Sequence, residues 1–378
     1  MSAKVRVLVV DDSALMRKLI PQTLMHDPAI EVVGTAMDGL IGLKKIQELR
    51  PDVVTLDLEM PRMDGLEMLR QITRKYQIPV IVVSAHTEQG ASLTLKALAL
   101  GAFDSVTKPR NVSFGQIGPI GFELAGKIKA AAASGVPRVL AAASVNPRKA
   151  PRALSANLRW PSHIIAIGIS TGGPNALQYL LPQLPGDFSG CLLIVQHMPE
   201  GFTDMFARRL DEASAIEVKE AQSGDLLLAG RALISPGNHH LKVRRLQQGN
   251  IAVLVDQPPV NGHRPSADVL FHSVAQEFGT KAISVLMTGM GDDGAAGMCA
   301  IQAAGGFTIA QSPDTCVVDS MPRAAIERGC VMRVVSLSSL ACVLQTKCSL
   351  AQALAEPVAL AFAENSFAGE AAARRRSS

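Results

Sequence analysis

The sequence predicts an α/β protein with two doubly wound domains, each built on a parallel sheet. Two observations support this fold class. Short apolar runs of strand length recur along the chain, and amphipathic segments of helical period separate them. The chain has 378 residues, enough for two domains of ordinary size, and 48% of its residues are hydrophobic, so each domain can bury a core.

The first domain is predicted to span residues 1–134. Its strand candidates Val5–Val10, Val53–Leu56 and Val80–Val83 are short apolar runs, as is typical of parallel strands covered by helices on both faces. A further strand candidate is Ala102–Val106. Helical patterns lie between and after these strands, at Ser13–Met25, Gly39–Leu49, Gly65–Arg74, Ala91–Leu100 and Gly121–Ala133.

Residues 135–159 change in character and predict a linker, because they contain proline, alanine and basic residues but no acid. The second domain is predicted to span residues 160–348. An alanine-rich tail over residues 349–378 ends in Arg374-Arg375-Arg376, and we expect it to be partly disordered.

The second domain repeats the α/β pattern. Its strand candidates are His163–Ile169, Cys191–Gln196, Arg231–Ser235 and Ala282–Thr288, with a hairpin at Lys242–Leu246 and Ile251–Asp256. Helices are predicted at Pro174–Leu184, Phe202–Glu212, Ser266–Phe278 and Gly294–Ala304.

Composition argues against several classes of protein. A net charge of +4, with no basic run interleaved with aromatic residues, argues against nucleic-acid binding. No apolar stretch is long enough for membrane insertion and the amino terminus does not resemble a signal peptide, so we expect a cytoplasmic protein. The six cysteines include no Cys-x-x-Cys pair, which predicts separate, reduced thiols and neither a disulfide framework nor a zinc site.

Three acids are predicted to meet at one edge of the first sheet. Asp11 and Asp12 follow the first strand, and Asp57 follows Val53–Leu56. The carboxyl ends of parallel strands share an edge, where ligands bind. Because three carboxylates repel one another unless a cation lies between them, the sequence predicts a Mg²⁺ site there.

A hydroxyl and a lysine are predicted at the same edge. Ser84 follows the strand Val80–Val83, and Lys108 follows the strand candidate Ala102–Val106. Both side chains can hold the oxygens of a phosphoryl group.

Together these residues resemble the receiver domain of bacterial response regulators, over nearly all of residues 3–130. The resemblance implies a flavodoxin-like fold and phosphorylation by a histidine kinase. It assigns Asp57 as the phosphoacceptor, Asp11 and Asp12 as metal-binding acids, and Ser84 and Lys108 as the phosphoryl switch residues. Phe103 matches the aromatic residue that changes rotamer on activation, or else belongs to the core.

The second domain contains a candidate nucleophile. Gly168-Ile169-Ser170-Thr171-Gly172 fits the G-x-S-x-G pattern and lies between an apolar strand and a proline that can begin a helix. The competing interpretation is a glycine-rich turn that binds phosphate, but the turn at Ser170 does not form a G-x-G-x-x-G motif. Ser170 is therefore predicted to be raised at a strand-to-helix turn.

A base and an acid are predicted at the same edge of the second sheet. His197 follows the strand Cys191–Gln196, and either Asp292 or Asp293 follows the strand that begins at Ala282. The order Ser, His, Asp differs from the Ser, Asp, His order of lipase-type hydrolases, and no histidine follows His272. The residues alone leave the choice between the two acids open.

The second domain and the full chain apart from the tail resemble the chemotaxis protein-glutamate methylesterases, the CheB family. The residues that carry the resemblance are Gly168–Pro174, Gln196–Pro199, Asn261–Asp268 and Met287–Gly294. The resemblance implies a Rossmann-like catalytic domain.

This resemblance also implies individual roles. Ser170 is the implied nucleophile, His197 the general base and Asp293 the orienting acid. The backbone N–H of Met290 and the region of Thr171 are implied oxyanion donors, and Arg264 is implied in the active-site cleft.

The function implied is the hydrolysis of glutamate methyl esters on chemoreceptors, together with deamidation of certain glutamines, for sensory adaptation. No cofactor is expected for the hydrolysis itself. A phosphorylation-gated interaction module and a hydrolase of small esters are the alternatives. We further expect the unphosphorylated receiver to cover the Ser170 cleft, and phosphate on Asp57 to draw in Ser84 and reshape the covering surface.

Overall fold

The computed structural model describes residues 3–85, 87–108, 117–134 and 159–349, with only the backbone described for residues 117–120. Within these residues the chain forms two α/β domains, which confirms the predicted fold class. The predicted linker and tail fall almost entirely on residues 135–158 and 350–378, outside the described residues.

The first domain is a five-stranded parallel sheet with the order β2-β1-β3-β4-β5. The strands are β1 (Val5–Val10), β2 (Ile30–Ala36), β3 (Val53–Leu56), β4 (Val80–Ser84) and β5 (Asp104–Thr107). The helices are α1 (Ala14–Leu24), α2 (Gly39–Leu49), α3 (Gly65–Gln71), α4 (Glu88–Ala99) and α5 (Ile117–Ser134). Four of these helices begin at a side-chain cap, provided by Ser13, Asp38, Asp64 and Thr87.

The second domain is a seven-stranded parallel sheet with the order β14-β13-β12-β6-β7-β9-β8. Its strands are β6 (Ile164–Ile169), β7 (Cys191–Gln196), β8 (Glu217–Glu220), β9 (Arg231–Ile234), β12 (Ala282–Leu286), β13 (Phe307–Gln311) and β14 (Arg333–Val335). A separate antiparallel hairpin consists of β10 (His240–Arg244) and β11 (Ile251–Val255).

Helices cover both faces of the second sheet. They are α6 (Gly173–Leu180), α7 (Thr203–Ala213), α8 (Ala267–Phe278), α9 (Ala295–Ala303), α10 (Ser320–Glu327) and α11 (337–349). The four neighbouring strands β12, β6, β7 and β9 are almost wholly buried, which explains why apolar residues predominate in their sequences.

The strands that the sequence analysis missed are mostly at the edges of the sheets. β2 and β8 are edge strands, and their solvent-facing positions carry polar residues such as Glu31 and Glu217, so no continuous apolar run marks them. β14, at the other edge, has three residues and is mostly exposed. Edge position therefore explains these three omissions; β13 is an internal strand that was also missed.

The expectation of six separate thiols is wrong for one pair. The structure joins Cys299 on α9 to Cys330, which follows α10, with their Cα atoms 4.8 Å apart. The 31-residue separation gives no sequence signal, because the two cysteines meet only when α9 packs beside α10. The other four cysteines are free.

No helix in the described part of the chain is both long and apolar enough to cross a lipid bilayer.

Candidate active site

Three neighbouring strands of the second sheet bring the candidate catalytic residues to one edge. Ser170 follows β6 and His197 follows β7, while Asp293 lies in the loop after β12. β6 lies between β7 and β12 and is parallel to both, so all three loops leave the carboxyl edge together.

Ser170 lies on a sharp turn between β6 and α6. Its N–H donates to the carbonyl of Thr288 at 3.0 Å, and its carbonyl accepts from Gly173 N–H at 2.8 Å. The Gln196 side chain also donates to the Ser170 carbonyl, at 3.1 Å. Gly172 makes the turn possible because its φ is +78°, a conformation that side-chain-bearing residues rarely adopt.

His197 and Asp293 form a buried hydrogen-bonded pair. His197 Nε2 lies 2.8 Å from Asp293 Oδ2, with the aspartate side chain fully buried and the histidine side chain 9% exposed. His197 Nδ1 is buried and has no hydrogen-bond partner among the described residues. Nε2 is therefore the ring nitrogen engaged by Asp293, and Nδ1 is the one that no described residue engages.

The amino-terminal end of α8 fixes the Asp293 carboxylate. Ser266 Oγ donates to Oδ1 at 2.6 Å, and Ala267 N–H donates to Oδ2 at 2.6 Å. Burial alone would raise the pKa of Asp293, but the hydrogen bond and charge of His197, helped by these donors, lower it to about 2. Asp293 is thus ionised at neutral pH.

Asp292 lies in a different environment. It is exposed, and its carboxylate accepts from Arg328 at 3.0 Å. Of the two acids left open by the residues, only Asp293 contacts His197.

The structure adds His263 to the candidate site. The His263 and His197 rings are stacked, with centroids 4.0 Å apart and planes inclined by 11°. Burial lowers the pKa of His263, and the charge of His197 lowers it further. His197, His263 and Asp293 bring ligand atoms within 4.8 Å of one another, but near-parallel rings direct their nitrogen lone pairs side by side and not toward one metal ion.

Sequence reasoning missed the contacts of His263 and Ser266 with the His197–Asp293 pair, although both residues lie in the quoted segment Asn261–Asp268. A signal was available for Ser266, since a serine directly before an amphipathic helix is a typical amino-terminal cap. The structure uses this hydroxyl to bind Asp293, so the helix start serves the acid of the site. No pattern marks the stacking of His263.

The remaining residues predicted for the cleft are Thr171, Met290 and Arg264. Thr171 is buried beside Ser170, and Met290 follows β12 in the same loop as Asp293. Arg264 lies next to His263 in the chain but contacts Asn238 and the carbonyl of Gln257.

The acids of the first domain meet as predicted. Ligand oxygens of Asp11, Asp12 and Asp57 lie within 4.8 Å of one another, an arrangement that can hold a cation. Lys108 Nζ lies 2.6 Å from Asp57 Oδ2 and 2.9 Å from Asp11 Oδ2. Burial opposes the charge of Lys108, but attraction by Asp11 and Asp57 raises its pKa.

Ser84 and Phe103 occupy different positions relative to Asp57. Ser84 is buried at the carboxyl end of β4, and its hydroxyl donates to the carbonyl of Gly90 at 3.1 Å. Phe103 precedes β5, where its N–H donates to the carbonyl of Val80 at the opposite end of β4. Phe103 is 1% exposed in the apolar core, so the structure does not bring it to the phosphoryl site and the core interpretation applies.

The two domains contact each other beside Ser170. Thr171 Oγ1 donates to Asp104 Oδ2 of β5 at 2.6 Å, and Asn175 donates to the carbonyl of Leu98 on α4 at 3.0 Å. The Met290 side chain packs on α5, where a Cβ at Gly126 would lie 3.0 Å from Met290 Cε. β5, α4 and α5 of the first domain therefore cover one side of the Ser170 turn.

Comparison with known proteins identifies both domains. The family model of the response regulator receiver domain matches residues 7–113, and that of the CheB methylesterase matches residues 165–344. A protein-glutamate methylesterase/protein-glutamine glutaminase 2 of Koribacter versatilis is 64% identical, covering 89% of this chain and 94% of the relative. A protein-glutamate methylesterase/protein-glutamine glutaminase of Symbiobacterium thermophilum is 48% identical, with coverages of 89% and 95%.

The crystal structure of the Thermotoga maritima CheB methylesterase catalytic domain is 37% identical, with a TM-score of 0.48, and covers 49% of this chain and 97% of that one. Similarity to the Koribacter and Symbiobacterium proteins extends over both domains. The chain belongs to the protein-glutamate methylesterase/protein-glutamine glutaminase family, with a response regulator receiver domain ahead of a CheB methylesterase domain.

Proposed function

We propose that this chain hydrolyses methyl esters of glutamate side chains on chemoreceptors, and deamidates certain glutamines there, under phosphorylation control. The observation that carries the proposal is the buried His197–Asp293 pair at the sheet edge from which Ser170 also emerges. The 64% identity to a protein-glutamate methylesterase supports the substrate.

In the proposed reaction, Ser170 Oγ attacks the ester carbonyl while His197 takes its proton. Because Nε2 is held by Asp293, Nδ1 is the nitrogen that receives the proton. The ionised Asp293 carboxylate then stabilises the imidazolium ring and keeps it in one orientation. His197 returns the proton to the departing methoxide, and methanol leaves.

Water, deprotonated by His197, then attacks the acyl carbon and breaks its bond to Ser170 Oγ. His197 returns the proton to Ser170 Oγ, which leaves the free glutamate side chain and the regenerated Ser170. A glutamine side chain would follow the same route, with ammonia leaving in place of methanol.

The backbone N–H groups of Thr171 and Met290 are proposed to bind the oxyanion. Among the described residues, neither group donates to another protein atom, and both lie in loops at the carboxyl edge of the sheet. Such fixed donors stabilise the negative charge that develops on the carbonyl oxygen. Arg264 is proposed to line the cleft mouth, since its neighbour His263 stacks on His197.

Asp57 is the proposed phosphoacceptor of the receiver domain. Burial raises the pKa of Asp11, and repulsion by Asp57 adds to the shift while Lys108 opposes it; this crowded set of carboxylates fits a divalent cation. Asp11, Asp12 and Asp57 would hold Mg²⁺, which supplies positive charge that neutralises the phosphoryl oxygens. Lys108 binds a phosphoryl oxygen, and Ser84 leaves Gly90 for another.

Phosphorylation is proposed to act by loosening the interface between the domains. In the structure, Asp104 of the receiver binds the Thr171 hydroxyl next to Ser170, and Met290 packs on α5. Both proposed oxyanion residues are therefore in contact with the receiver. A histidine kinase, which carries a phosphoryl group taken from ATP, is the proposed phosphodonor. Because ATP and the receptor segments proposed as substrates are cytoplasmic, we propose a cytoplasmic location.

Methanol release from methylated chemoreceptor membranes tests the proposal. Wild type is compared with Ser170→Ala, each with and without Mg²⁺ and a small phosphodonor. We expect release that requires Ser170 and increases with the phosphodonor. Ser170-dependent hydrolysis of small chromogenic esters, without release from receptors, would instead support a hydrolase of small esters.

A further inference from the structure

A groove of about 590 Å³ runs along the outside of the catalytic domain, between the β10–β11 hairpin and α8. Its walls are formed by the hairpin on one side and by successive turns of the helix on the other. The residues that define it are Lys242, Arg244, Val253, Val255, Val269 and His272.

The groove contains an apolar strip beside its two basic residues, and polar side chains such as Gln257 and Gln276 also line it. Lys242 pairs with Val253 across the hairpin. Arg244, which pairs with Ile251, and Val255, which pairs with His240, lie on the same face at opposite ends of the hairpin. Val253, Val255 and Val269 remain partly exposed. An exposed apolar strip bordered by charged residues is typical of a surface that binds a partner.

The two basic residues of the groove are not paired with the two acids that also line it, Asp268 and Glu277. Within the described residues, neither Lys242 nor Arg244 lies within ion-pair distance of a carboxylate. The Asp268 carboxylate is already bound by the N–H of Gly297 at 2.6 Å and by Asn261 at 2.8 Å.

The second acid of the groove is also engaged, since the Glu277 carboxylate accepts from the N–H of Arg245 at 3.2 Å. These donors are neutral and do not cancel the charge of a carboxylate, but Asp268 is only 6% exposed. The groove therefore presents two accessible basic residues, Lys242 and Arg244, against one accessible acid, Glu277, beside an apolar strip.

The groove reaches the candidate active site through a tight turn. Val260, which lines the groove, exchanges two backbone hydrogen bonds with His263 at 3.0 and 2.9 Å. Directly paired residues of an antiparallel bridge project to the same side, so Val260 lies next to the His263 ring. That ring stacks on His197. A chain lying in the groove would therefore continue toward the catalytic histidine.

We propose that this groove docks an acidic segment of the protein substrate, adjacent to the side chain that is hydrolysed. The inference rests on the proposed function, in which the substrate is a protein segment that bears glutamates. The ester itself is uncharged, so charge recognition must use neighbouring carboxylates. Lys242 and Arg244 bind these carboxylates, and the valines of the apolar strip contact the apolar side of the segment.

Sedimentation with receptor-containing membranes tests the docking surface. The full-length protein is used with Mg²⁺ and a small phosphodonor, comparing wild type, the double variant Lys242→Glu/Arg244→Glu, and Lys281→Glu as a matched control. Lys281 is exposed and directly precedes β12, at the amino edge of the sheet away from the site. We expect about tenfold weaker binding for the double variant, and wild-type binding for the control.

Raised ionic strength should weaken wild-type binding and affect the double variant much less, because salt screens the exposed charges that the variant has lost. Wild-type affinity in the double variant would overturn the docking surface. Methanol release from the same samples tests the chemistry separately. If binding depends on the groove but no methanol is released, the proposed esterase activity is rejected and the docking surface stands. If methanol is released but the double variant binds as well as wild type, the esterase activity stands and the docking surface is rejected.

Discussion

At the residue scale, the hydrogen-bond donors around Asp293 give the clearest evidence for its proposed role. It is fully buried, yet it accepts hydrogen bonds from His197, from Ser266 and from the first N–H groups of α8. A buried carboxylate is stable only when such donors replace its hydration. The amino-terminal end of a helix also favours negative charge, so α8 itself contributes to the ionised state.

The two adjacent acids provide a matched test of this assignment. Asp293→Asn should lower kcat by about 10³- to 10⁴-fold, because an amide can neither stabilise the imidazolium nor hold the ring tautomer in the same way. Asp292→Asn should stay close to wild type, since Asp292 is exposed and contacts Arg328. Methanol release at saturating substrate measures both, and an equal loss in the two variants would contradict the assignment.

The depressed pKa of Asp293 also predicts a pH-dependent contribution to stability. Its pKa is about 2 in the folded protein against 3.8 for the unperturbed group, so the folded state favours the ionised form. The contribution is complete above about pH 4, is lost as pH falls through 2, and amounts to about 2 kcal/mol.

Urea unfolding of the wild type and of Asp293→Asn at several pH values measures this effect. We expect the wild type to be more stable at pH 7, and the difference to narrow below pH 4. A difference that does not depend on pH would show that packing, and not charge, stabilises this position.

At the element scale, β5 links the two sites. Its last residue, Thr107, pairs with Ser84, and Lys108 follows at the sheet edge that carries Asp57. Its first residue, Asp104, accepts a hydrogen bond from Thr171 of the catalytic domain, and its Oδ2 lies 3.4 Å from Lys127 Nζ of α5. A strand rises about 3.3 Å per residue, so β5 alone spans the distance between the sheet edge at Asp57 and the domain interface.

Breaking the Asp104–Thr171 hydrogen bond should therefore increase the activity of the unphosphorylated protein. Asp104→Ala removes a charge-assisted hydrogen bond, whose loss is expected to raise basal methanol release about tenfold. Glu48→Ala, on the exposed face of α2, is the control and should leave the basal rate unchanged. If Asp104→Ala has wild-type activity both with and without phosphodonor, this contact does not restrain the enzyme.

The Cys299–Cys330 bond makes a second prediction at this scale. Of six cysteines in the sequence, two are paired, so four thiols (six minus two) should react in denaturant without reductant. All six should react after reduction. Thiol labelling followed by mass spectrometry measures the number of reactive thiols. Six reactive thiols before reduction would show that the Cys299–Cys330 pair is not bonded in the purified protein.

At the scale of the whole molecule, the receiver lies against the side of the Ser170 turn. The contacts come from Asp104, Leu98 and Gly126 of the first domain and from Thr171, Asn175 and Met290 of the second. Interfaces between domains of one chain are commonly weaker than domain cores, so they can respond to a single modification.

The catalytic domain alone should therefore be more active than the unphosphorylated full chain. Residues 158–348 lack every receiver contact, and their methanol release should match or exceed that of the phosphorylated protein. Full-length Asp57→Ala, assayed with and without phosphodonor, is the control and should remain at the basal rate. Equal activity of the isolated domain and the unphosphorylated full chain would contradict control by coverage.

The sequence alone determined the fold class and most of the buried strands, and it predicted most of the candidate site. Strands such as Cys191–Gln196 are buried on both faces, so a continuous apolar run marks them without knowledge of the fold. Because parallel strands present their carboxyl ends together, Ser170 and His197 could be placed at one edge from position alone. Asp57, Asp11 and Asp12 followed from the same rule.

Only the tertiary structure decided features that depend on which elements pack together. Asp292 and Asp293 are indistinguishable by spacing, and the amino-terminal end of α8 selects Asp293. His263 stacks on His197 because of a turn between β11 and α8, and Cys299 meets Cys330 because α9 packs beside α10. The Asp104–Thr171 contact joins residues 67 positions apart in different domains. The local sequence indicates which residues are buried and whether they follow a helical or strand period. The pairs formed between distant residues depend on how the elements pack in three dimensions, which local patterns do not encode.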